Sequence, residues 1–330
     1  MLVAAALVPD TVLLVPGASG RTDVHADLRT HALAAVRAVL ACDLGRVVVV
    51  APGRGLDDGG PVRVTPGPVR ASLAAAGIPD GALRWRDAVR TPESGGPVDA
   101  GAPDTDGAAA GARDSDGAAA GARNSEPLDA SAPDHAAPAP PAVGVSASVA
   151  VLLLREAGWT GPVDVVETAP AARGDGASAS RLAGTGRALA PDGSLRTGLV
   201  VVGSLSARHG PDAPRADDER APAYDAAVLA DLADAGPAAL GRLAALDPSL
   251  AGELDVTGWA PWQVLLGALP PVGTDDAPAE RLVTATVHAA GAPLGAQHVV
   301  AAWVVAPDGL AGAGSPAGTT RPSRPEDPHA

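Results

Sequence analysis

Thr197-Gly-Leu-Val-Val-Val-Gly-Ser-Leu-Ser-Ala-Arg208 is the stretch that decides the fold. Its apolar run, Leu199 to Val202, has the length and β-branching of a strand covered on both faces, which is the habit of a central parallel strand. The run stops in a glycine and two serines. In open α/β sheets the ligand crevice lies beyond the carboxyl ends of the strands, so Ser204, Ser206, Arg208 and His209 become crevice candidates.

Working outward, Leu2 to Val8 reads as a first strand. Pro9-Asp10-Thr11 turns it into a second apolar run, Val12 to Val15. Thr22 or Asp23 can cap a helix running to about Ala41, with Leu28, Ala32, Ala35, Val36 and Val39 on one face. Arg46 to Ala51 is another buried strand, closed by the loop Pro52-Gly53-Arg54-Gly55. This β-loop-α-β opening predicts an α/β fold, a mainly parallel central sheet with helices on both faces. A short strand near Val62 to Val64, a helix from Val69 to Ala76, a helix from Ser146 to Ala157 and a strand at Val163 to Val166 extend it. A Gly/Ala/Ser-rich loop is expected from Ala171 to about Ser180. Helices follow at Tyr224 to Ala235, Pro237 to Leu246 and Trp259 to Ala268, with a short turn at Asp247-Pro248, and two closing strands at Leu282 to Ala289 and Val299 to Val305.

One α/β domain over residues 1–306 is therefore expected, interrupted at 91–142 and followed by a tail at 307–330. Within the interruption the decapeptide Asp104 to Arg113 is repeated almost unchanged as Asp114 to Arg123. Two copies make a slippage repeat and not a solenoid. Such a Pro, Gly, Ala and Asp mixture buries too little apolar surface to offset its ordering entropy. Its Asp-x-Asp-Gly starts lack the closing glutamate of a calcium loop.

Composition narrows the function. The chain has no Phe and no Lys, and its formal net charge is -14. Nucleic acid and anionic membranes both require clustered cations, and here the arginines are scattered. No apolar run approaches the ~20 residues of a membrane span. The first ten residues lack the basic start of a signal peptide, and the one cysteine, Cys42, excludes an internal disulfide. Together these features fit a cytoplasmic protein.

Several pieces together resemble the B-subunit-like domain of class III extradiol ring-cleavage dioxygenases, in the divergent form found in high-GC bacteria. They are Leu2 to Pro16, Gly198 to Arg208, Asp218-Glu-Arg-Ala-Pro-Ala-Tyr-Asp225, Asp247-Pro-Ser-Leu-Ala-Gly-Glu253, Ala260-Pro-Trp-Gln-Val-Leu-Leu266 and Ala292-Pro-Leu-Gly295. The resemblance implies an Fe(II) site at the carboxyl ends of the strands, made from two histidines and a carboxylate, with a further histidine as acid/base near a bound catechol. Asp10 stands where the resemblance puts the first ligand, Gly53 and Arg54 where it puts the second, and Ala207 where it puts the acid/base histidine. It thus implies a relative whose ring cleavage is impaired, or that is repurposed for binding a small aromatic or other small molecule, or a metal.

The residues themselves leave alternatives open. Gly53 and Arg54 could cradle an anion or form a plain turn. Asp10, His288 and His298, with His209, could make a non-standard metal set for an active oxidoreductase, drawing on Asp217, Asp218 or Glu219. Ser204 and Ser206 do not match the G-x-S-x-G nucleophile elbow, and strand-end hydroxyls also satisfy exposed backbone groups. His25 and His31 lie on different faces of one helix and are expected to be solvated. Trp259 and Trp262, three apart, are expected to seal core. A scaffold without chemistry would use the exposed helical face after Tyr224.

Overall fold

The computed structural model describes residues 1–18, 25–54, 56, 60–80, 139–171, 176–191, 195–270 and 283–306. By backbone proximity the chain divides into one unit of Met1–Val89 with Pro140–Ala330 and another of Arg90–Ala139. The sheet and its helices belong to the first. The expected helix caps Thr22 and Asp23, residues 91–138 of the interruption and the tail lie outside the described residues.

Seven strands form one sheet: β1 (Leu2–Val8), β2 (Arg46–Pro52), β3 (Val62–Thr65), β4 (Val163–Thr168), β5 (Thr197–Val202), β6 (Val283–Gly291) and β7 (His298–Val305). Their order is β3-β4-β2-β5-β1-β7-β6. The four strands β4, β2, β5 and β1 run parallel, and β5 sits between β1 and β2 as its uninterrupted apolar run requires. The sheet is mixed and not mainly parallel, because β3 joins β4 antiparallel and the β6–β7 hairpin joins β1 antiparallel.

Alternation along the strands divides the core in two. Leu2, Leu7, Val48, Val50, Leu199 and Val201 face a cluster built on α3 (Gly176–Leu189), α4 (Ala221–Asp234), α5 (Pro237–Ala244), α6 (Pro248–Glu253) and α7 (Trp259–Ala268). Ala4, Ala6, Val8, Val47, Val49, Val200 and Val202 face α1 (Ala26–Leu40) and α2 (Val145–Glu156). Trp259, Trp262 and Trp303 are all buried on the first side, supplying the bulk that phenylalanine would otherwise provide. Helices α3 and α7 approach through glycine. A Cβ at Gly186 would lie 2.0 Å from the Val264 carbonyl oxygen, and one at Gly267 would lie 2.1 Å from that of Ala183.

Four expectations fail for physical reasons. Val12–Leu14 is a single 3-10 turn capped by the Thr11 hydroxyl, so the second apolar run is not extended. The expected helix over 69–76 does not form beyond a 3-10 turn at Ala74–Ala76. Its amide groups bond elsewhere: Ser72 N–H to the Ser148 hydroxyl, Leu73 N–H to the Asp80 carboxylate and Arg70 N–H to the Pro141 carbonyl. The loop expected through Ser180 gives way to α3 from Gly176, where packing against α7 overrides weak propensity. Asp247-Pro248 opens a true helix, α6, with the Asp247 side chain accepting the Ser249 N–H.

An isolated bridge pairs Arg70 with Ala142, and the Asp80 carboxylate also holds Arg70 and the Ser72 hydroxyl. Ala142, the last residue of the expected interruption, is thereby tied to the segment that precedes it. Among the described residues no helix is long and apolar enough to cross a membrane.

Candidate functional site

The site is built where β1, β2 and β5 end and β7 begins. Gly203 follows the end of β5 and has room for no side chain, since a Cβ there would lie 2.3 Å from the Gly258 Cα. That close approach lets the turn before α7 dock on the strand end, with Gly258 N–H donating to the Ser204 carbonyl at 3.0 Å. Ala4, Ala6 and Val8 of β1, Val200 and Val202 of β5, and Val300 and Ala302 of β7 face the α1/α2 side, and Asp10, Ser204 and His298 continue those rows.

Ser204 joins the other two and Thr257 in one chain of hydrogen bonds. Asp10 N–H donates to Ser204 Oγ at 3.0 Å, and Ser204 N–H donates to Thr257 Oγ1 at 3.0 Å. The Asp10 carboxyl is buried close to the hydroxyls of Thr257 and of Ser146 in the first turn of α2, both of which pull its proton affinity down. His298 Nδ1 lies 2.9 Å from Ser204 Oγ, which already accepts from Asp10 and keeps its own proton for the ring nitrogen.

Burial sets the proton affinities. It raises the Asp10 carboxyl above the usual range, against the pull of the Ser146 and Thr257 hydroxyls and of Arg54. It lowers the His298 imidazole to about 4, with a further push from His25. His298 is therefore neutral at pH 7. His25, at the N-cap of α1, has its Nε2 buried without a hydrogen-bond partner among the described residues, which corrects its expected solvation. At the mouth Arg54 is exposed, while Gly53 N–H donates to the Thr168 carbonyl at 2.8 Å and is not free to cradle an anion.

The remaining candidates belong to another network. Asp225 of α4 accepts Ser206 N–H at 3.1 Å and the Ser206 hydroxyl at 2.6 Å, and its Oδ2 is 2.6 Å from His209 Nε2. Ser206 and His209 thus share one buried carboxylate and do not face each other as nucleophile and base. Arg208 turns back to the Ala216 carbonyl at 2.8 Å. This network fastens the chain after β5 to α4. An Asp225→Asn substitution, which keeps the shape but weakens acceptance, is expected to cost about 2 kcal/mol, read as a lower urea midpoint at unchanged slope.

His288 sits on β6 at a bulge between Val287 and Ala289, its Nε2 also buried without a partner among the described residues. The set Asp10, His209, His288 and His298 is not gathered: among the described residues no three His, Cys, Asp or Glu side chains form a group that could hold a metal ion. Nor do the donors fit the iron centre implied by the resemblance. Burial favours the acid form of the Asp10 carboxyl, His298 Nδ1 is engaged by the Ser204 hydroxyl, and Gly53 and Arg54 offer no imidazole.

The strand-end position of Asp10, Ser204 and His298 follows from the sequence pattern. Ser146, Thr257 and His25 carried no local signal, since each joins the site only through tertiary packing. Compared with models of known protein families and with curated protein sequences, the chain matches none.

Proposed function

We propose that the chain is a divergent relative of the class III extradiol dioxygenase B subunit that binds a small hydroxylated molecule, an aromatic one by that resemblance, in place of iron-dependent ring cleavage. The ligand would sit above the hydrogen-bonded chain of Asp10, Ser204 and Thr257, between His298, His25 and Arg54. The observation that carries this reading is the His25 Nε2 atom, buried and without a hydrogen-bond partner among the described residues, close enough to the neutral His298 imidazole to act on it. A buried polar nitrogen without a partner is costly, and a ligand hydroxyl would remove that cost. Arg54 at the mouth suits an anionic substituent on the same molecule.

The experiment is a thermal-shift titration with catechol and with 3,4-dihydroxybenzoate, on protein prepared anaerobically without chelator, with and without added Fe(II), beside elemental analysis. Metal-independent stabilisation, amounting to about 2.7 kcal/mol at a hundredfold excess over Kd and lost in His25→Ala, is the expected result. Near-stoichiometric iron, with binding that depends on it, would instead favour an active oxidoreductase. Absence of any ligand or metal response, with a stable partner in pull-down, would favour a scaffold.

A further inference from the structure

The sheet ends in two strands of opposite character. At one edge β3 is four residues long and carries Arg63, whose guanidinium holds the buried Glu167 carboxylate at 2.6 Å. Shortness and an exposed charge are how a sheet edge discourages a further strand. At the other edge β6 has neither protection. It runs for nine residues, Val283–Gly291, and among the described residues β7 bonds one side of it while no strand bonds the other. Thr284, Thr286, Val287 and Ala290 are exposed along it. No Asp, Glu or Arg occurs over residues 283–305, in a chain whose formal net charge is -14. A free row of backbone N–H and C=O groups on an uncharged strand is a template for another strand.

The order of residues names the partner. The first five, Val283-Thr-Ala-Thr-Val287, read the same in both directions. They are also the regular part of the strand, since the register with β7 shifts between Val287 and Ala289. When two identical strands pair antiparallel about a two-fold axis at Ala285, Val283 falls opposite Val287 of the second copy, and Thr284 falls opposite Thr286. Every position then meets its own residue type, β-branched against β-branched and hydroxyl against hydroxyl. We infer that β6 is a dimerisation edge, through which two copies of this chain pair antiparallel over residues 283–287 and join their sheets into one. Acidic chains repel each other over most of their surface, and this strand brings them together where neither presents a carboxylate. Pairing also closes the assembly, because each copy uses its one open edge and β3 is blunted. The small-molecule reading of the crevice plays no part in this inference.

The test is sedimentation velocity on the full chain over a concentration series, with circular dichroism and a thermal midpoint as the check on folding. Wild type is expected to sediment as monomer and dimer, the dimer share rising with concentration and nothing larger forming. Thr284→Asp combined with Thr286→Asp sets carboxylates opposite one another at two exposed positions, and is expected to weaken dimerisation at least about tenfold with the fold intact. Thr284→Asp combined with Thr286→Arg sets opposite charges face to face in the same register. That protein is expected to dimerise as well as wild type or better. Should the doubly acidic protein fail to fold, the wild-type series and the charge-paired protein decide the matter. The inference is overturned if wild type is monomeric throughout or forms species larger than a dimer. It is equally overturned if the doubly acidic protein dimerises as well as wild type, or if the charge-paired protein folds and stays monomeric.

Discussion

Between pH 6.5 and pH 4 a His298→Asn variant is expected to gain about 3 kcal/mol of stability on the wild type. The imidazole is buried neutral, so its folded proton affinity lies below that of the unfolded chain. An unfolded chain therefore takes up the proton first as pH falls through 6.5, and the stabilising contribution, complete above that value, disappears by about 4. Asparagine keeps a polar atom near Nδ1 for the Ser204 hydroxyl but has no proton to gain. Asp10 works in the opposite sense: a raised carboxyl favours the folded state as pH falls, so the wild-type curve alone would understate the effect. The difference between the two proteins isolates His298, and His25 is the other titratable group that presses on it. Chemical denaturation at several pH values reads it, and parallel curves for the two proteins would mean that His298 is not held neutral.

Gly203→Ala is expected to cost about 3 kcal/mol or more and to abolish ligand binding at the site. The added methyl would sit 2.3 Å from the Gly258 Cα, so backbone and not a pliant side chain must move. Gly258 N–H bonds the Ser204 carbonyl and Thr257 receives Ser204 N–H, so displacing this turn breaks both of the bonds that seat the Ser204 backbone. Gly241, inside α5, is the internal control. A Cβ there meets nothing within 4 Å, and Gly241→Ala should be neutral or stabilising by up to about 1 kcal/mol. Equal denaturation midpoints for the two variants would refute the packing argument.

The contrast between these glycines also shows what could be read in advance. Runs such as Val47 to Val50 and Leu199 to Val202 announce buried strands because their apolar character does not depend on partners. The α7 boundaries, Trp259 to Ala268, are equally plain from its apolar content and the proline near its start. Helix α3 is not, since Gly184, Gly186 and a string of alanine and serine look like loop until α7 lies against them. The site divides in the same way. Strand alternation places Asp10 and Ser204 side by side, but Thr257 arrives from 53 residues beyond Ser204, and nothing local marks it. His25 looked like one more solvated helix residue, and its influence on His298, at the start of β7, joins positions far apart in the chain.

The bridge between Arg70 and Ala142 has a consequence for how this gene can vary. Its two flanks are fixed by groups that belong to the α/β unit, with Asp80 tied to Arg70, Ser72 and Leu73 on one side and Val143 N–H bonded to the Arg70 carbonyl on the other. Whatever joins two anchored points adds closure entropy of only about 0.6 kcal/mol for each doubling of its length. On closure entropy alone, gaining or losing a copy of the Asp104–Arg113 decapeptide in the sequence between these anchors therefore weighs little against the fold.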